Sequence, residues 1–294
     1  MPYAQGDGAR LYYEETGSGH PLVFVHEFAA DHRDWETQVR WFARFYRCIA
    51  FNARGYPPSD VPERDQDYGE RRAIADIVAV LNHLGIGRAH IAGLSMGAYA
   101  ALRFGLEHPE SASALVIAGC GSGAPYAGRQ SFKEACEAQA QRFLAEGSAI
   151  VAQSMAVGPN RVQLQNKDPR GWSEFVGRLS EHSNVGSALT LRNYQALRAS
   201  LFDFTDDFAA LRVPTLLIVG DEDEPCLETN IFLKRAIPSA GLSVLPNTGH
   251  AVNLEEPALF NRIVGDFLLA VDHGRWPLRD PRSLGGGTFG PAKP

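Results

Sequence analysis

Unbroken apolar runs recur along this chain, and segments of helical periodicity lie between them. Pro21–His26, Cys48–Phe51, Ala89–Ala92 and Ala114–Ala118 are the first four runs. Such a run reads as a strand covered on both faces, as in parallel sheets. Trp35, Val39 and Phe42 share one helical face, and Ile74, Ile77, Val78, Leu81 and Leu84 share another. Parallel neighbours need crossover connections, so this alternation predicts an α/β fold, a mostly parallel doubly wound sheet. Ala9–Glu15 instead alternates polar and apolar residues, as a half-exposed strand does.

The alternation then stops. From about Gly121 to Asp203 no strand pattern appears, and four helical segments take its place, near residues 131–146, 149–157, 172–181 and 187–199. Strand character resumes at Thr215–Val219 and Leu242–Leu245, with helices near 228–236 and 257–270. Residues 122–205 therefore read as a helical cap inserted into a core of 1–121 and 206–272. Residues 273–294, rich in Gly, Pro and Arg, read as a loose, flexible C-terminal tail.

Composition narrows the function. Hydrophobic residues make up 45% of 294, enough for a large buried core. A net charge of -6 without a lysine/arginine block argues against nucleic acid as a partner. No basic segment followed by an apolar run opens the chain, and no apolar stretch approaches the length of a membrane span. Cys48, Cys120, Cys136 and Cys226 form no paired spacing, which argues against a disulfide framework or zinc site and makes the cytoplasm the expected location. Gly119–Gly123 is glycine-dense but lacks the lysine of a phosphate loop.

The chemistry centres on Gly93-Leu94-Ser95-Met96-Gly97, between a strand pattern and the helix formers Ala98–Phe104. A serine flanked this way is the signature of a nucleophile elbow. The glycines remove Cβ atoms from a tight turn, and the helix directs free N–H groups at the serine. A serine hydroxyl also needs a base, and that base needs an orienting group. In a parallel sheet both are expected at the carboxyl ends of later strands. Four acids, Asp221–Glu224, follow the strand at Thr215–Val219. His250 follows the strand at Leu242–Leu245, and it alone of nine histidines lies beside a glycine after a late strand.

From about residue 10 to 270 the chain resembles the α/β-hydrolase superfamily. The matching pieces are His26 at a strand end, the loop Arg54-Gly55 to Ser59-Asp60, the elbow, Val219–Asp223, and Gly249-His250 with Asn253, Glu255 and Pro257. The resemblance implies a triad of Ser95, Asp223 and His250, with Asp223 selected ahead of Asp221 because family acids lie three residues after the glycine ending their strand. It implies oxyanion donors at the backbone N–H groups of Phe28 and Met96, and it requires no metal or organic cofactor.

One position departs from the family pattern. Relatives usually carry glycine after the strand-end histidine, and this chain carries Glu27. The simpler expectation is that Glu27 turns aside to pair with a nearby arginine, with Arg54 the candidate. The sharper one is that Glu27 acts on substrate or water. Cys120 and the cap residues Trp172 and Tyr194 are further candidates for lining the pocket. The cap arginines, Arg161 and Arg178 among them, suit solvated helix faces as well as a substrate carboxylate.

The tail Gly249–Glu255 is similar to that of enol-lactonases, small carboxylesterases and cofactor-free haloperoxidases. The resemblance implies a serine hydrolase acting on a small-molecule ester or lactone. The alternatives are a carbon–carbon bond hydrolase or haloperoxidase with the same triad, and a non-catalytic ligand-binding member of the fold. A homo-oligomer is compatible with the sequence.

Overall fold

The computed structural model of the protein describes residues 2–283. Eight strands form one sheet: β1 (Tyr3–Gln5), β2 (Arg10–Thr16), β3 (Pro21–Val25), β4 (Arg47–Phe51), β5 (Ala89–Leu94), β6 (Ala112–Ala118), β7 (Thr215–Gly220) and β8 (Ala240–Leu245). Their spatial order is β1-β2-β4-β3-β5-β6-β7-β8. β1 and β2 pair antiparallel and every pair from β4 to β8 is parallel, the mixed pattern of a doubly wound sheet with an antiparallel edge. β1 carries too few residues to show a sequence period.

Helices cover both faces. α1 (Glu36–Phe42) and α12 (Pro257–Asp272) lie on one, and α2 (Glu70–His83), α3 (Met96–Glu107) and α10 (Glu224–Ala236) on the other. β3 shows why its sequence is apolar throughout: Leu22 and Phe24 join the core around Trp35 and Phe260, whereas Val23 and Val25 join the core around Ile77 and Ile91. Burying such a side chain contributes about 1.5–3 kcal/mol, so the strand cannot slip one register without reversing both faces.

Between β6 and β7 the chain forms α4 (Arg129–Glu146), α5 (Ser148–Ala156), α6 (Val162–Lys167), α7 (Pro169–Ser180), α8 (Asn184–Thr190) and α9 (Thr205–Ala210). A π-helical turn, Leu191–Gln195, continues α8. α6 did not show in the sequence, because six residues behind a Gly158-Pro159 turn are too few to display a helical period. The elements are completed by α11 (Val252–Glu255).

The expected loose tail differs where it is described. Trp276 packs edge-on against Phe267 with ring centroids 4.7 Å apart, and its indole N–H donates to the Ser239 carbonyl at 2.7 Å. Residues 284–294 lie outside the described residues. Among the described residues, no helix is long and apolar enough to cross a membrane.

Candidate active site

β5 passes directly into α3, and Ser95 is the hinge. It stands at φ 54°, ψ −110°, a conformation L residues rarely adopt. Its neighbours must be glycine. A Cβ on Gly93 would fall 2.3 Å from the Gly97 carbonyl oxygen, and one on Gly97 would fall 2.2 Å from the Val25 oxygen. The elbow is therefore wedged against β3, with Met96 as the first residue of α3. As the first residue of the helix, Met96 has an N–H that donates to no backbone group among the described residues.

Two later strand ends bring an acid and a base to the same edge. Asp223 follows β7, immediately before the first residue of α10, and is fully buried. His250 follows β8 and is 4% exposed. Their side chains meet: His250 Nδ1 lies 2.7 Å from Asp223 Oδ2. Burial by itself lowers the imidazole, but the Asp223 carboxylate and its hydrogen bond outweigh that and hold His250 well above its ordinary value of 6.5. Asp221, the other acid considered, instead accepts the Thr248 N–H in the turn at 3.1 Å and lies away from the pair.

The loop carrying His250 is itself held rigidly. Gly249 N–H donates to Glu255 Oε2 at 2.6 Å, and Ala251 N–H donates to Oε1 at 3.1 Å, so one buried carboxylate brackets the histidine on both sides. The His250 N–H points to the Asn160 carbonyl of the cap at 3.4 Å. No hydrogen bond joins Ser95 Oγ to His250 among the described residues.

After β3, His26 organises the next loop. Ala53 N–H donates to His26 Nε2 at 3.0 Å, which leaves the proton on Nδ1 to be donated to the Glu27 carbonyl at 2.7 Å. Burial pushes this imidazole down, consistent with a neutral ring. The Phe28 carbonyl accepts the Tyr56 hydroxyl at 3.0 Å, whereas the Phe28 N–H donates to no backbone group among the described residues.

Glu27 corrects one expectation. Arg54 does not receive it: the guanidinium is buried against Asp76, with bonds of 2.6 and 2.8 Å. Glu27 turns inward instead. It is 2% exposed, accepts Arg161 Nη2 of the cap at 2.5 Å, and brings Oε2 within 3.8 Å of His250 Nε2. Arg161 sits in the short turn Pro159–Arg161 and also covers the Phe175 ring, 4.7 Å from its centroid. It is therefore no solvated cap arginine. Nothing periodic in the sequence distinguished it, because its environment is made by a contact spanning 134 positions.

The remaining pocket candidates divide. Tyr194 is buried and donates its hydroxyl to the Met96 carbonyl at 3.1 Å, so the cap grips the elbow directly. Both line a small cavity of about 30 Å³ behind the elbow, together with His26 and Gly97. Cys120 is buried just past β6, its thiol pushed up to about 12 by burial. Trp172 donates its indole N–H to the Ala156 carbonyl at 2.8 Å, a bond internal to the cap.

Asp223, His250 and Cys226, which sequence reasoning did not connect with the site, place ligand-type atoms within 4.8 Å of one another. That set suits hydrogen bonding better than a metal. His250 Nδ1 is already engaged by Asp223, the Cys226 Sγ donates to the Gly119 carbonyl at 3.3 Å, and burial raises this thiol away from the thiolate a metal needs.

A family model for the alpha/beta hydrolase fold matches residues 20–257. The chain is 28% identical to the 2-hydroxy-6-oxononadienedioate/2-hydroxy-6-oxononatrienedioate hydrolase of Burkholderia vietnamiensis, covering 90% of this chain and 92% of that one. It is 26% identical to 3-oxoadipate enol-lactonase 1 of Acinetobacter baylyi, covering 85% and 89%. Among solved structures, a thermophilic esterase from Thermogutta terrifontis superposes with a TM-score of 0.82 at 25% identity, covering 92% of this chain and 98% of the esterase. The names of these relatives differ in substrate, a hydroxy-oxo-dienedioate, an enol-lactone and an ester, so a fold match leaves the substrate open. The elbow, the strand-end acid and histidine, and the family match together identify the chain as a member of the α/β-hydrolase family.

Proposed function

We propose that the protein is a serine hydrolase that cleaves a small carboxylic ester or lactone through an acyl-enzyme on Ser95. The observation that carries this reading is the convergence of a strained Ser95 at the start of α3 with the buried His250–Asp223 pair on one sheet edge. His250 Nε2 takes the Ser95 proton as Oγ attacks the acyl carbon. The Phe28 and Met96 N–H groups hold the resulting oxyanion, which costs no reorganisation because neither donates to a backbone group among the described residues. His250 then protonates the departing oxygen, and water releases the acyl group by the reverse route. Asp223 fixes the imidazole tautomer and stabilises the imidazolium.

The esterase and the enol-lactonase among the relatives support the ester or lactone class. Reaction with a fluorophosphonate probe, alongside Ser95→Ala and a panel of nitrophenyl esters and lactones, tests the reading. Labelling of Ser95 with ester or lactone turnover is expected. Absence of labelling overturns it, and labelling without any such turnover moves the assignment to carbon–carbon bond hydrolysis.

A further inference from the structure

Glu27 occupies a position that ester hydrolysis does not need. His250 gives Nδ1 to Asp223, so Nε2 is the nitrogen that handles the leaving group. Glu27 Oε2 lies 3.8 Å from that nitrogen. Its other oxygen, Oε1, is buried and has no hydrogen-bond partner among the described residues. A buried carboxylate oxygen without a donor is costly, so an N–H or O–H group supplied by a ligand would satisfy it. Arg161 holds the carboxylate in place at 2.5 Å and balances its charge.

The leaving atoms of esters and amides differ in one respect that matters here. An ester's leaving oxygen carries no hydrogen, and its lone pairs gain nothing from a carboxylate. The leaving nitrogen of a primary or secondary amide keeps at least one hydrogen. When the tetrahedral intermediate turns the nitrogen lone pair toward the imidazolium, that N–H swings away from His250 and needs an acceptor of its own. We infer that Glu27 is this acceptor, so that the protein hydrolyses small carboxamides as well as esters. The inference rests on the serine-hydrolase reading above and extends it to acyl–nitrogen bonds.

The step balances without any co-reactant but water. Ser95 Oγ bonds to the amide carbon and its proton passes to His250 Nε2. The oxyanion collapses, the C–N bond breaks, and the nitrogen takes the proton from Nε2 to leave as an amine. Glu27 accepts the N–H hydrogen bond throughout and transfers no proton. Water then hydrolyses the acyl-enzyme.

The test is the ratio of kcat/KM for an amide to that for an ester with the same acyl group, such as a nitroanilide and a nitrophenyl ester. Glu27→Met keeps the volume and removes both the acceptor and the Arg161 contact, whereas in Glu27→Gln the one amide oxygen stays with Arg161 and an NH2 donor replaces the free acceptor. The amide-to-ester ratio is expected to fall about 10- to 100-fold in both variants, and Glu27→Gln, which keeps the Arg161 contact, separates loss of the acceptor from loss of the seating of the inserted helices. A role confined to seating the cap would lower both rates together and leave the ratio unchanged in Glu27→Met, which overturns the inference. So does a wild-type protein that labels on Ser95 and turns over esters but no amide. Failure to label Ser95 at all overturns the serine-hydrolase reading itself, which distinguishes the two failures.

Discussion

Gly186 in the cap and Gly55 in the core meet backbone to backbone: a Cβ on Gly186 would lie 2.0 Å from the Gly55 carbonyl oxygen. This close approach, the Arg161–Glu27 and Arg178–Asp34 ion pairs and the Tyr194–Met96 hydrogen bond seat the cap on the core at several separate points. These contacts hold the inserted helices against the elbow and the loop after β3. A glycine inside a helix ordinarily gains up to about 1 kcal/mol on replacement by alanine. Gly186→Ala is expected to do the reverse, destabilising by about 1–3 kcal/mol through overpacking. Thermal unfolding of the variant, with KM measured in parallel, checks both the sign and the effect on the site.

The elbow glycines are expected to tolerate even less. In Gly93→Ala the new Cβ meets the Gly97 backbone at 2.3 Å, where nothing flexible can yield. Gly87, with no atom within 4 Å of its virtual Cβ, is the matched control. Loss of about 3 kcal/mol or more is expected for Gly93→Ala and little change for Gly87→Ala, read from denaturant midpoints.

Asp223 sets the protonation of His250, and pH profiles should expose this. The base must be neutral to accept the Ser95 proton. A His250 held well above 6.5 places the acid limb of kcat/KM above the ordinary histidine range, with activity rising as pH rises through it. Asp223→Asn removes the carboxylate charge, so the limb should move to lower pH while kcat falls about a thousandfold or more. A limb that stays in place would argue that another group governs it.

Asp34 carries a pH dependence of stability. Burial raises its carboxyl to about 7, with Asp31 and Glu27 adding to the rise and Arg178, 2.5 Å away, opposing it. The folded state then binds more protons than the unfolded state between the ordinary value of 3.8 and about 7, so this group's contribution to stability falls as pH rises through that window. Asp34→Asn does not titrate. The difference in Tm, Asp34→Asn minus wild type, should therefore grow more positive from pH 5 to pH 8, by the equivalent of a few kcal/mol at most.

Much of this protein is determined locally and could be read in one dimension. An apolar run needs two covered faces, which made Pro21–Val25 and its counterparts strands of a parallel sheet. A serine between two glycines at a strand–helix junction needs the conformation the elbow adopts. The order of Ser95, an acid and His250 follows from which strand ends share an edge. Elements too short to show a period, such as β1 and α6, escaped notice for the same reason. The partner of Glu27 is different. The sequence supported a pairing of Glu27 with a nearby arginine, with Arg54 the candidate, but the fold commits Arg54 to Asp76. Only the seating of the cap brings Arg161 across 134 residues to Glu27, and only that contact turns the carboxylate toward His250. Periodicity encodes which face a residue buries; which charges share a buried site depends on how separate elements dock, and that is decided in three dimensions.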